Sequence, residues 1–168
     1  MNINVYYFNK QKLDEKINFF EKNRQLIKEK HNLGLVFAHL DKAKHNLEFF
    51  NKNKDDEKFN DWLIVILYYA LYHSALALVV NRNYTSKNHT ATLLFLIKFY
   101  SIKKEDAELI EELSINRNDA EFYTHLKIER HTASYATSLS FTQNQITEYK
   151  ERVIEFIQKV EDIVKNEQ

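Results

Sequence analysis

Cysteine and proline are absent from the 168 residues, and glycine, methionine and tryptophan occur once each. Without cysteine there are no disulfides and no thiolate ligands or nucleophiles. A single glycine, Gly34, excludes the glycine-rich phosphate loop, the dinucleotide fingerprint and the GxSxG nucleophile elbow, each of which needs at least two. Tight hairpin turns lean on glycine and proline, so the scarcity of both argues against sheets and for helices. Neither sign of charge is in excess, with 24 Lys plus Arg against 24 Asp plus Glu. Neutrality removes the broad basic field behind non-specific nucleic-acid binding and leaves a local basic groove as the route to phosphate. The opening MNINVYYFNKQK lacks the basic-then-apolar layout of a signal peptide, so a cytoplasmic protein is expected.

What the chain does have is one long apolar run. From Trp62 to Val80 no residue carries a formal charge unless His73 is protonated. As a helix this run would be about 28 Å long, close to the length of a membrane span. Tyr68, Tyr69, Tyr72, His73 and Ser74 would then lie near the bilayer centre rather than at its interfaces. The flanking sequence also supplies amphipathic helices able to cover it. The expectation is therefore a soluble, all-α bundle of five or six helices, one domain over residues 1–168, built around this buried helix without a membrane.

The remaining elements follow from periodicity. Residues 1–8 read as a short extended arm. Leu13, Ile17, Phe20 and Ile27 set a helix over 10–30, and His31-Asn32-Leu33-Gly34 reads as its end. Val36, Leu40, Ala43, Leu47 and Phe50 form the cleanest apolar stripe, followed by a solvated connector, NKNKDDEK. NRNYTSKN at 81–88 reads as a loop, with Ser86 or Asn88 able to cap a helix from His89 to Tyr100. Ser101 is placed to cap a fifth helix, with Glu105 and Asp106 in its first turn. Residues 132–142 read as irregular, and Thr142 caps a last helix carrying Ile146, Tyr149, Val153, Phe156, Val160 and Ile163. That spacing suits a bundle seam or an oligomer contact equally well.

No metal site and no cofactor is expected. His39 and His45, like His125 and His131, are six apart, which sets the members of each pair about 120° apart around a helix. His73 reads as a neutral core histidine bonded to a carbonyl or a tyrosine. The polar segments after residue 116 are the best candidates for binding. In RNDAEFY (117–123) and RHTASY (130–135) an arginine precedes an alanine by three positions and an aromatic by five. Arginine's planar fork suits phosphate, and tyrosine stacks on bases or donates to anions. The competing reading pairs both arginines with acids on a solvated helix.

Taken in order, HLDKAKHNLEF from His39, WLIVILYYALYHSALAL from Trp62, SKNHTATLLF from Ser86 and RHTASY from Arg130 resemble the HEPN family over residues 35–164, with residues 1–34 as an N-terminal extension. The resemblance implies an up-and-down helical bundle, commonly a homodimer, that binds nucleotide or RNA. In that family the partner is often a nucleotidyltransferase-type antitoxin, in a toxin–antitoxin or defence setting. Matched to the family motif, Arg130, His131 and Tyr135 would bind the ligand, with Arg117 as the rival arginine. Active members are metal-independent endoribonucleases that place Arg four to six residues before His. The alternative reading therefore makes Arg117 and His125 catalytic, although seven residues separate them, and His131 follows Arg130 directly. A third reading is a purely structural dimerisation module.

Overall fold

The structure, a computed structural model, describes residues 2–129 and 141–167, and within these the side chains of all but Glu57 and residues 119–129. Among the described residues the chain forms α1 (Asn4–Phe8), α2 (Lys10–Lys22), β1 (Leu26–Lys28), α3 (Leu33–Asn53), α4 (Asn60–Asn81), β2 (Tyr84–Ser86), α5 (His89–Tyr100), α6 (Lys104–Glu129) and α7 (Gln143–Asn166). Six of these helices have twelve residues or more, and the fold is all-α apart from one short ribbon.

The central helix is α4. It meets α3, α5, α6 and α7, the arrangement that a helix apolar on nearly all sides requires. Ile64, Leu67, Leu71 and Leu78 are wholly buried. Each such side chain stabilises the fold by about 1.5–3 kcal/mol relative to exposure. Although α4 is long and apolar enough to cross a membrane, most of its apolar window is buried within the bundle.

The α7 stripe is consumed inside the chain as well. Ile146, Tyr149, Val153, Phe156 and Val160 are all buried, so the seam serves the monomer core rather than an oligomer contact. Thr142 opens this helix with a capping box: its hydroxyl accepts from the Gln145 amide at 3.3 Å, and the Gln145 side chain accepts from the Thr142 amide at 3.0 Å. Asn88 caps α5 in the expected way, accepting from the Ala91 amide at 2.9 Å.

Local expectations fail where distant partners intervene. Residues 1–8 are not an extended arm, because Asn4–Phe8 is helical and Ile3 is buried. Tyr7 then donates its hydroxyl to the Ile102 and Lys103 carbonyls at 2.9 and 3.1 Å, tying this helix to the α5–α6 connection. The helix expected over 10–30 stops at Lys22. Arg24 takes a left-handed φ of 54°, and Leu26–Lys28 pairs antiparallel with Tyr84–Ser86. Asn32 caps the start of α3, accepting from the Leu35 amide at 3.0 Å, and Gly34 lies inside that helix without a positive φ. Ser101 closes α5 with a left-handed φ of 48° instead of capping α6.

Candidate functional site

The described cleft with the most chemistry lies between α4, α5 and the middle of α6. Tyr68 and Tyr72 are four residues apart on α4 and so share one face. Their rings stack, with centroids 5.7 Å apart and planes only 10° from parallel. His89, the first residue of α5, reaches this pair: its ring centroid is 4.4 Å from that of Tyr72, and its Nδ1 hydrogen-bonds the Tyr68 hydroxyl. The Asn88 cap and the β2 segment fix where α5 begins. The Thr92 hydroxyl donates to Ser86 Oγ at 2.8 Å and to the Asn88 carbonyl at 3.1 Å.

Arg117 completes the group from α6. Its guanidinium lies 4.8 Å from the Tyr68 ring centroid and 6.0 Å from that of Tyr69, within cation–π range. It also hydrogen-bonds Asn118. Ile110, Glu111 and Ser114 from α6 face Tyr68, Tyr72, His89 and Leu93 across an open cleft of about 180 Å³. Burial raises the Tyr68 phenol well above the ordinary tyrosine range, against the opposing pull of Arg117. Tyr72 is raised by burial too. Both phenols therefore stay protonated at neutral pH and act as hydrogen-bond donors rather than as bases.

The cleft presents the half-buried Tyr72 ring and the exposed His89 imidazole, and the Arg117 guanidinium lies on the buried Tyr68 ring that holds them. Such a set stacks on a flat ring and neutralises an anion beside it. The space is below the roughly 300–1,000 Å³ of a typical small-molecule site, so it fits a base or a phosphate group, with the rest of the ligand outside.

Of the residues singled out from the sequence, Arg117 is brought to this region, on the ring of the Tyr68 that lines the cleft. His125 lies on α6 with its side chain outside the described residues, and Arg130, His131 and Tyr135 lie outside them altogether. The histidine that contacts the same tyrosine as Arg117 is His89, to which sequence reasoning gave no chemical role. Two tyrosines at i and i+4 in an aliphatic run, and a histidine directly after a capping asparagine, were the available signals. Neither shows that α6 will bring an arginine to them. His73 is half-buried, and its partner is His39 rather than a carbonyl or a tyrosine. Among the described residues no cluster of three or more metal-ligating side chains is present. No family model matches the chain, and no curated protein sequence matches it.

Proposed function

We propose that this chain is a HEPN-type protein that binds nucleotide or RNA, with Arg117, Tyr68, Tyr72 and His89 forming the described part of its site. The observation that carries this reading is the Arg117 guanidinium over the ring of Tyr68, whose hydroxyl bonds His89 in the lining of an open cleft. A base stacks on Tyr72 and His89, the accessible rings of the cleft, while arginine takes the phosphate. Arg130, His131 and Tyr135 are retained from the sequence resemblance as ligand-binding residues. A nucleotidyltransferase-type partner, a toxin–antitoxin or defence role and a cytoplasmic location belong to the same reading.

The test is binding of labelled single-stranded RNA and of free nucleotides to the full-length chain, with Arg117→Ala, Tyr72→Ala and Arg130→Ala beside wild type. Loss of affinity of tenfold or more in Arg117→Ala, with the fold intact, is expected. Unchanged affinity in all three variants would exclude the site.

A second reading, metal-independent RNA cleavage, is favoured by one observation: an arginine and a histidine both contact Tyr68, although as Arg117 and His89 rather than Arg117 and His125. Arginine would stabilise charge at phosphorus while histidine moves a proton. Cleavage of RNA in EDTA that leaves 2′,3′-cyclic phosphate ends and disappears in His89→Ala would establish it. The homodimer of this reading is assigned to a different face. Phe49, Phe59 and Trp62 are 49%, 48% and 46% exposed around one apolar groove at the α3–α4 turn. Sedimentation of wild type against Trp62→Glu decides whether that groove pairs two copies.

A further inference from the structure

His39 and His73 are 34 residues apart in sequence and meet on the line where α3 packs against α4. Their Nδ1 atoms are 3.0 Å apart, their ring centroids are 5.3 Å apart, and the ring planes are inclined by 34°. Centroids that far apart, for so short an Nδ1 contact, require both nitrogens to lie close to the line joining the two rings. The imidazoles therefore meet head to head. Lone pairs opposed along one line suit a single proton between them, as in an N–H···N hydrogen bond. Two ligands of one zinc ion would instead converge on it at a tetrahedral angle.

One ring then donates its Nδ1–H and the other accepts. A first added proton goes to the free Nε2 of the donor ring, where the imidazolium still makes the same, stronger bond. A second must sit on the accepting Nδ1, forcing two N–H groups against each other. Both rings are half-buried, so protons from solvent reach them while the surroundings disfavour charge. Burial lowers the affinity of both for protons, and for His73 the neighbouring His39 and then Lys42 lower it further. Among the described residues, Lys42 on α3 is the charged group whose field bears on the pair.

We propose that the His39–His73 contact is a pH-sensitive clasp between α3 and α4. It is closed while the neutral pair has taken up at most one added proton, and it opens when a second enters. Because the folded chain holds these protons less readily than the unfolded one, the contribution of the clasp is complete above the ordinary histidine value of about 6.5. It is lost as the pH falls from there toward the depressed folded values. Each proton taken up on opening shifts the equilibrium by up to about tenfold per pH unit. The opened state would loosen α3, whose Val36, Leu40 and Ala43 are buried in the core. The inference stands apart from any ligand at the Tyr68 cleft.

The experiment follows the imidazole nitrogens by NMR in the full-length chain from pH 8 to 5. Alongside it, amide hydrogen exchange of α3 is measured and corrected for intrinsic rates, in wild type, His39→Asn and His73→Asn. Asparagine keeps a short polar side chain at either position without titrating. The expected result is two linked titration steps, with the second well below the first. Protection of α3 should fall at least tenfold with the second step in wild type and stay flat in the variants. Two independent titrations at the ordinary histidine value would overturn the proposal, as would an equal loss of α3 protection in all three proteins. Should the variants fail to fold, the wild-type imidazole titration decides alone.

Discussion

The two long sides of α4 are built from the same twenty-two residues and do different work. On one side Leu67 and Leu71 are wholly buried. On the other, Tyr68 and Tyr72 carry hydroxyls to His89 and toward Thr92, with an arginine lying on the first ring. A leucine contributes by removing surface from water, with no directional demand. A tyrosine contributes as much area, but obliges the chain to supply a partner for its hydroxyl at one place. The aliphatic side therefore tolerates rearrangement, whereas the tyrosine side depends on the register of α5 and α6.

The most damaging way to break that contrast is Leu67→Ala. A cavity at a wholly buried position is expected to lower stability by about 2–5 kcal/mol in denaturant unfolding. Ligand affinity, measured where the variant remains folded, should be unchanged. His89→Ala attacks the other side. It removes a partner of the buried Tyr68 hydroxyl and is expected to cost about 1–3 kcal/mol. Adding Tyr68→Phe removes the hydroxyl too, so the double variant should lose less than the sum of the single losses in the same unfolding assay. Arg117→Ala sharpens the contrast further. Loss of its contact with the Tyr68 ring should cost no more than about 1 kcal/mol of stability. The RNA or nucleotide affinity proposed for the cleft should weaken by at least tenfold, about 1.4 kcal/mol, by fluorescence anisotropy. The smallest effect is expected off both sides. Lys44 pairs with Glu161 at 2.6 Å, but its side chain is 54% exposed, so Lys44→Ala should change stability by no more than about 1 kcal/mol and leave affinity untouched.

The elements legible in the sequence were those whose signals repeat along one stretch. The Val36–Phe50 stripe, the capping asparagine before His89 and the Thr142 cap each lie within a few turns of the residues they organise. The misread segments answer to partners elsewhere or to backbone turns that spacing does not show. Ile27 looked helical by spacing, yet it pairs with Thr85. Ser101 looked like a cap for α6, but its backbone ends α5 instead. The site divides in the same way. Arg117 could be picked out as a candidate from its own heptapeptide. His89 could not, because its relevance comes from two tyrosines on another helix.

The sequence by itself determined that the protein is helical and which helix is its centre. The scarcity of glycine and proline, together with an apolar run too long to leave uncovered, acts through local backbone and solvation physics that no distant contact reverses. The tertiary structure alone decided where chemistry collects. Hydrogen bonds and ring contacts act over only a few ångströms, whereas Arg117 and His89, or His39 and His73, are tens of residues apart along the chain. Those distances close only when the helices pack, in a register set by the whole core.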